Sequence, residues 1–361
     1  MRVLAVCGAS GGHIFPAVAF LESFKEASPD AQGLLILPQR SSMKKVDNPS
    51  FEFRYVIFPS LSRRLDSGNI KNLVLVLRGS LECIRIVIKF KPDVVVGFGS
   101  LISLPVIISA WFLRIDTVIH EQNVIPGRAN RFLAFFAKKI AVSFDLSKGY
   151  FKDFLSKVVV TGNPLRKSLK IIDKSKALDY FGFDGSRITI LVSGGSQGSS
   201  KINFEFLKAV SLLDNKDSLQ VIHLCGLADY PELEKKYKES GIKYALYSFL
   251  DSMEFAYSAA DFVISRAGAT SVSEMILYKL PGILLPYPYA YQHQYKNARV
   301  LEEKGAGIII KDEDFGAAEL KEKIQAIIAD PKQIPGLKAN FIKFGQNSDS
   351  GKLLAEEVLR L

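Results

Sequence analysis

The sequence predicts an α/β protein made of two doubly wound domains, each built on a parallel sheet. Three observations predict it. Short, wholly apolar segments alternate with stretches of helical period, as strands covered on both faces by helices require. The alternation starts over near residue 186. Each round opens with the same unit of strand, glycine-rich turn and helix, first over Leu4 to His13 and again over Ile190 to Ser199. At 361 residues, 48% hydrophobic and 23% charged, the chain has the length for two such domains and an ordinary globular composition.

In the first half, strands are expected at Val3–Val6, Gly33–Leu37, Phe53–Phe58, Val94–Val96, Thr117–His120, Ile140–Val142 and Val158–Val160. Helical period is clear over Phe15–Ala27, with Pro16 read into the first turn, where its missing N–H costs nothing. Val94 to Leu113 carries no charge over a length of about 20 residues, enough for a membrane span. Gly97, Gly99 and Pro105 interrupt it, so a buried strand, a glycine turn and a buried helix are expected instead. In the second half, strands are expected at Ile188–Val192, Leu219–Leu224, Tyr244–Tyr247, Phe262–Ile264, Gly282–Leu285 and Gly307–Ile310, and helices over Ile202–Leu213 and Glu319–Ala329. Thr161–Ser186 reads as the linker, and Asp330-Pro331 to Pro335-Gly336 as a break before the final helical stretch. No secretory leader is expected, because Met1-Arg2 runs straight into the first strand.

Charge is distributed unevenly. Residues 1–165 hold 21 Lys and Arg against 12 Asp and Glu, whereas the remainder holds 26 against 25. The first half is therefore expected to face something anionic: nucleic acid, a phosphate-bearing substrate or anionic lipid. A clustered aromatic–basic strand of the RNA-binding kind is missing. Cys7, Cys83 and Cys225 are widely spaced among small or apolar residues and read as buried thiols in a reducing compartment. Four histidines and the lack of Cys-x-x-Cys or His-Glu-x-x-His leave a metal site unsupported, so no metal and no cofactor are expected.

The first glycine turn, Gly8-Ala9-Ser10-Gly11-Gly12-His13, opens a helix, where free amides favour an anion or a developing oxyanion. His13 would sit at the carboxyl end of the first strand, where open α/β sheets bind ligands, and a neutral imidazole there could take a proton from an attacking hydroxyl. The second turn is Ser193-Gly194-Gly195-Ser196-Gln197-Gly198-Ser199, in which Ser196 and Gln197 offer donors to phosphate or sugar. The third helix start is Ser265-Arg266-Ala267-Gly268-Ala269-Thr270-Ser271-Val272-Ser273-Glu274. A carboxylate at Glu274 can accept a ribose diol or simply offset the helix charge. Past Pro286-Tyr287-Pro288, His293 and Gln294 are polar contact candidates. His120-Glu121-Gln122-Asn123 directly follows an apolar strand, and Gly162-Asn163-Pro164-Leu165-Arg166 closes the first domain with a guanidinium suited to phosphate.

Taken in order, Gly-x-x-Gly-Gly-His, His-Glu-Gln-Asn, Gly-Asn-Pro-x-Arg, Gly-Gly-Ser-Gln-Gly, Ser-Arg-Ala-Gly-Ala…Ser-Glu and His-Gln…Asn-Ala resemble the bacterial MurG family over about Met1 to Gly305. These enzymes move N-acetylglucosamine onto lipid I to make lipid II. The resemblance implies the GT-B fold, two facing Rossmann-like domains with a cleft between them. It divides the chain into an acceptor- and membrane-facing domain at 1–163, a UDP-sugar domain at 164–345 and a final helix at 346–361 returning to the first domain. It implies inverting transfer from UDP-N-acetylglucosamine to the muramyl 4-hydroxyl of an undecaprenyl-diphosphate-linked muramyl peptide, with His13 as general base and Glu121 as second candidate. Ser10, Gly11 and Gly12 would close over the sugar. Asn123 and Gln294 would contact it, Arg166 and Ser196 would meet the diphosphate, Gly195, Gln197 and His293 would be further substrate contacts, Leu250 would read uracil through its backbone, and Ala269, Thr270, Ser271, Val272, Ser273 and Glu274 would line the nucleotide.

The chain departs from the family pattern at Ala9-Ser10, where Gly-Thr is usual, at Ser100-Leu101, where Gly-Tyr is common, and after Leu37, where nothing carries over. The implied location is the cytoplasmic face of the bacterial plasma membrane, peripherally bound. Arg63, Arg64, Lys71, Arg78, Arg85 and Lys89 interleave there with Leu73–Leu77 and Ile84–Ile88 as an interfacial surface or as the solvated face of a buried helix. A glycosyltransferase of the same fold acting on a soluble acceptor is the alternative enzyme, and a non-catalytic nucleotide-sugar or nucleic-acid binder the alternative outside enzymes.

Overall fold

The structure is a computed structural model that describes residues 1–39, 50–59, 67–195, 198–288, 292–330, 332–345 and 349–361, with backbone alone at 67–71. The chain divides into two compact units, Met1–Arg166 with Ser348–Leu361, and Lys167–Asn347.

The first unit runs β1 (Arg2–Val6), α1 (Gly11–Ala27), β2 (Gln32–Pro38), β3 (Glu52–Val56), α2 (Ser67–Phe90), β4 (Val94–Gly97), α3 (Ser103–Phe112), β5 (Asp116–Glu121), α4 (Arg128–Leu133), β6 (Lys139–Val142) and β7 (Val158–Val160). Its sheet is parallel in the order β3-β2-β1-β4-β5-β6-β7, which switches direction beside β1. Side chains alternate across it. Val3, Ala5 and Cys7 join the core under α1, whereas Leu4 and Val6 join the core under α2 and α3. That two-sided burial is why the strands read as unbroken apolar runs.

The second unit runs α5 (Lys174–Tyr180), β8 (Ile188–Ser193), α6 (Ser200–Ser211), β9 (Leu219–Leu224), α7 (Tyr230–Ser240), β10 (Lys243–Tyr247), α8 (Met253–Ala259), β11 (Phe262–Ser265), α9 (Ala269–Tyr278), β12 (Gly282–Leu284), α10 (His293–Glu302), β13 (Gly307–Ile309), α11 (Ala317–Ala329) and α12 (Gln333–Ala339). Its parallel sheet, β10-β9-β8-β11-β12-β13, repeats the switch beside β8. The chain ends in α13 (Ser350–Leu359), which belongs to the first unit. Leu354, Ala355 and Val358 of α13 pack with Phe20 and Phe24 of α1, and Lys139 pairs with Glu357 at 2.6 Å. The three cysteines are buried and reduced.

Every expected strand forms, with no end shifted by more than two residues. Residues 94–113 form β4, a turn and α3, and no helix among the described residues is long and apolar enough to cross a membrane. Three expectations need correction. Helix α1 starts at Gly11, so Pro16 lies inside it and cannot donate to the Gly12 carbonyl. The stretch read as linker contains α5, capped by Asp173, which accepts from the Ser175 and Lys176 N–H groups, and seated by buried Ala177 and Leu178. The break after Asp330 is short, because α12 takes in Pro335 in its first turn and Gly336 after it.

Candidate active site

In the first unit the polar residues gather at the carboxyl ends of β1, β4 and β5. Ser10 caps α1 through its carbonyl, which accepts from His13 N at 2.9 Å and Ile14 N at 3.0 Å. The N–H groups of Gly11 and Gly12 are first-turn donors with no intrahelical acceptor. The Ser10 hydroxyl lies 2.7 Å from His13 Nδ1. Desolvation pushes the His13 imidazole down to about 4, although the residue keeps partial exposure, so the ring is neutral at neutral pH. A Cβ at Gly8 would lie 2.7 Å from Ser100 Cβ and 3.2 Å from His13 Nδ1, so only glycine lets the β1 and β4 turns meet here. Ser100 itself sits at φ +73°, in the left-handed region glycine favours.

The string at the end of β5, His120 to Asn123, separates into different tasks. His120 is fully buried, its Nε2 is 3.0 Å from the Gly162 carbonyl, and Gln122 Nε2 lies 3.0 Å from its Nδ1. Since Gln122 can only donate there, the ring proton sits on Nε2 and points at Gly162. Glu121 Oε1 accepts from Asn123 N at 2.9 Å and Asn123 Nδ2 at 3.3 Å. Its Oε2 accepts from Gly127 N at 3.0 Å and Asn130 Nδ2 at 2.9 Å. Burial raises the Glu121 carboxyl above its ordinary value, and the four donors oppose that. A proton on either oxygen would face donors only, so these surroundings suit a carboxylate that holds the loop rather than one that exchanges protons. Asn130 also donates to the His120 carbonyl at 3.1 Å, which fixes its amide, and its buried Oδ1 has no partner among the described residues. Arg166 lies over the Phe15 ring of α1, 4.6 Å from its centroid.

In the second unit, Gly195 (φ +91°) and Gly198 (φ +78°) turn the loop after β8, and a Cβ at Gly198 would run into the Cys225 carbonyl. Ser196 and Gln197 lie outside the described residues. Glu274, in the second turn of α9, is buried and accepts from the Tyr257 hydroxyl at 2.7 Å. Val272 is not placed as expected: its side chain is in the core and its N–H donates to the Gly268 carbonyl, leaving it nothing to offer a ligand. Ser273 donates its hydroxyl to the Ala269 carbonyl at 2.9 Å. That helix start carries the early N–H groups of Ala269 and Ser271, with Thr270 between them and the Glu274 carboxylate one turn on. Leu250 has a buried side chain and backbone groups with no partner among the described residues. Gln294 Oε1 accepts from Tyr287 N at 2.9 Å, and His293 begins α10.

Two residues escaped the sequence reading. Arg266 lies over the Tyr287 ring and donates to the carbonyls of Leu285 (3.0 Å) and Pro286 (3.4 Å), to Asp312 (3.2 Å) and to Ser199 Oγ (3.2 Å). It thereby ties together the segments that follow β8, β11, β12 and β13. Burial alone would raise the Asp312 carboxyl, but Lys201 and Arg266 outweigh it and hold it low. Asn203 does the same work between α6 and β9, donating to the Cys225 carbonyl (2.8 Å) and Asp229 (2.7 Å) while its Oδ1 faces His223 Nε2 (3.0 Å). A charge immediately after a buried strand was the available signal for Arg266.

Two doubly wound domains, each with a glycine turn at its switch strand, suit an enzyme of nucleotide sugars, and the family matches make the class a two-domain glycosyltransferase. Residues 3–142 match the glycosyltransferase family 28 N-terminal domain and residues 189–350 its C-terminal domain. A Halothermothrix orenii relative, a UDP-N-acetylglucosamine–N-acetylmuramyl-(pentapeptide) pyrophosphoryl-undecaprenol N-acetylglucosamine transferase, is 36% identical over 96% of this chain and 95% of its own. A Thermodesulfovibrio yellowstonii relative of the same name is 35% identical over 100% and 99%. The crystal structure of Acinetobacter baumannii MurG superposes with a TM-score of 0.74 at 22% identity, covering both chains completely. A Polygonum tinctorium UDP-glucosyltransferase gives 0.70 at 14% identity, over 99% of this chain and 98% of its own. The chain belongs to the MurG family of N-acetylglucosaminyltransferases, and its fold class is the GT-B class expected from the sequence.

Proposed function

We propose that this chain transfers N-acetylglucosamine from UDP-N-acetylglucosamine to the muramyl 4-hydroxyl of undecaprenyl-diphosphate-linked N-acetylmuramyl-pentapeptide, in peptidoglycan synthesis. Near-complete coverage of relatives that carry this activity in their names supports the reading, and the observation that carries the chemistry is the Ser10–His13 pair at the start of α1. With Nδ1–H donated to Ser10 Oγ, His13 presents an unprotonated Nε2. That nitrogen takes the acceptor hydroxyl proton as the oxygen bonds to the anomeric carbon with inversion. The bond from that carbon to the UDP oxygen breaks and its electrons leave with UDP. Arrival of an anionic acceptor diphosphate raises the imidazole from its depressed value, because a nearby negative charge favours imidazolium. The base therefore strengthens when substrate is bound.

The donor reading assigns the Glu274 carboxylate, oriented by Tyr257, to the ribose, the Leu250 backbone to uracil, and Arg266 to positioning the surrounding loops. The membrane reading rests on the first unit. Exposed Leu73, Leu77 and Leu81 form an i, i+4 stripe on α2 next to exposed Arg78, Arg85 and Lys89. Trp111 and Phe112 are exposed at the end of α3. Apolar side chains flanked by cations suit peripheral binding to an anionic cytoplasmic leaflet. Arg63, Arg64 and the Lys71 side chain lie outside the described residues. The test is transfer of labelled N-acetylglucosamine from UDP onto a lipid I analogue by purified protein. Transfer to water-soluble hydroxyl acceptors with none to lipid I overturns the acceptor assignment.

A further inference from the structure

The turn between β4 and α3 passes beside His13. A Cβ at Gly8 would lie 2.7 Å from Ser100 Cβ, 3.0 Å from Ser100 Oγ and 3.2 Å from His13 Nδ1, and one at Gly99 would lie 3.5 Å from His13 Nε2. Gly99 therefore lies by the Nε2 edge of the imidazole, and Ser100 shares the space over Gly8 with the Nδ1 edge. The turn is firmly held. Phe98 N donates to the Val6 carbonyl at 2.8 Å, Ser103 N to the Ser100 carbonyl at 3.1 Å and the Ser103 hydroxyl to the Gly99 carbonyl at 2.5 Å. These bonds keep Ser100 at φ +73°, a conformation that glycine adopts without steric cost and serine does not.

Serine stands there nonetheless, and its hydroxyl makes no bond that stabilises the turn. Ser100 is half-buried, and its Oγ has no hydrogen-bond partner among the described residues. Backbone strain that gains the fold nothing points to a ligand. Ser100-Leu101 also stands where Gly-Tyr is common in the family, and Leu101 packs on the apolar core under α2 and α3. The pair keeps one hydroxyl but carries it one position earlier, next to the imidazole.

We infer that Ser100 is an acceptor-binding residue: its hydroxyl hydrogen-bonds an uncharged oxygen of the acceptor sugar beside the attacking hydroxyl, and so aims that hydroxyl at His13 Nε2. The inference rests on the proposed transfer. In a muramyl sugar linked to diphosphate through carbon 1, the 4-hydroxyl lies across the ring from the diphosphate. The substituents that flank it, on carbons 3 and 5, present an ether oxygen and the 6-hydroxyl. A serine hydroxyl beside the base can donate to either of them.

The test is steady-state transfer by the full-length chain carrying Ser100→Gly or Ser100→Ala. Both variants lack the hydroxyl, but only glycine relieves the backbone. Both are expected to lose roughly three- to tenfold in kcat/KM for a lipid I analogue, as removal of one hydrogen bond to an uncharged group should cost, while the Kd for UDP and the base limb of the pH–rate profile keep their parent values. Only Ser100→Gly should gain thermal stability. Parent kcat/KM in both variants overturns the inference. A loss confined to either variant also overturns it, because that marks a backbone effect, and so does a shifted base limb, which makes Ser100 a partner of His13 instead of the acceptor. Should the parent chain act on a water-soluble hydroxyl acceptor and not on lipid I, the acceptor assignment falls, and the same comparison on that acceptor decides the role of Ser100 separately.

Discussion

Replacing Glu121 by Gln decides between the two candidate bases. Both carboxylate oxygens are committed, Oε1 to the two Asn123 donors and Oε2 to Gly127 N and Asn130 Nδ2. A glutamine there can keep its oxygen toward one pair only, and its NH2 then faces the other two N–H donors. Two buried donors lose their acceptor in either orientation. Each costs about 1–3 kcal/mol, and partial relaxation of the loop places the sum near 3 kcal/mol. For a unit of this size the melting temperature falls about 2–4 °C per kcal/mol, so the transition of the first unit should drop by roughly 6–12 °C. The loss of kcat should follow from the displaced loop, and the limb of the pH–rate profile that reports the base should remain, because the proposed mechanism gives that limb to His13. Circular dichroism melts and a pH–rate profile on the same preparation make the measurement. An unchanged Tm with kcat reduced by a factor on the order of a hundred or more, and the base limb gone, would refute the argument and make Glu121 the proton acceptor.

His13→Ala should lower kcat by roughly 10²–10⁴-fold while calorimetry finds the UDP affinity unchanged; unaltered turnover removes His13 from the mechanism. Glu274→Gln should weaken UDP binding by about tenfold or more, with a smaller loss in Tyr257→Phe, because a charged acceptor for the diol is replaced by a neutral one. Ser100→Gly should raise stability by about 0.5–1 kcal/mol, read as a higher Tm, since it relieves a left-handed serine while adding freedom to the unfolded chain. Acidification should destabilise the fold in the His window. His120 is held down at about 4 and His223 at about 3 from a usual 6.5, both by burial. The unfolded chain therefore binds protons first, and each of these histidines removes about 2 kcal/mol as pH falls from 6.5 to about 5, with no loss above that window. A flat urea-denaturation profile across it would contradict the buried neutral imidazoles.

The strands were legible because a parallel sheet buried on both faces leaves a local trace, an unbroken run such as Val94-Val95-Val96. Helix starts were less so. Nothing in Gly11-Gly12 favours a helix by propensity, and α1 begins there because Ser10 is set by the end of β1 and its carbonyl collects two N–H groups. Helix α5 was hidden because only Ala177 and Leu178 of its seven residues are buried, too few to show a period. Glycine turns, His13 and Glu274 could be read as local patterns. The reach of Arg266 could not: its partners Ser199 and Asp312 are 67 and 46 residues away, a distance no local pattern records.

The four polar residues from His120 to Asn123, at the end of β5, are engaged in the way scaffold groups are, which is the case against Glu121 as the base. His120 and Glu121 are the last two residues of the strand, so their side chains leave on opposite faces of the sheet. Each enters a buried environment where an unpaired polar group is costly, and each is therefore fully engaged: the imidazole with Gly162 and Gln122, the carboxylate with four N–H donors. Gln122 folds back onto His120, and the Asn123 carbonyl receives the Ser147 hydroxyl at 3.2 Å. Groups so committed hold loops well and exchange protons poorly. His13 differs on the point that matters for a base: its one hydrogen-bond partner among the described contacts, Ser10, engages Nδ1 and leaves Nε2 for chemistry. The residues that set the geometry and the residue proposed to move the proton thus lie in different motifs, and a substitution in either is distinguished by what it should change, stability in the first and turnover in the second.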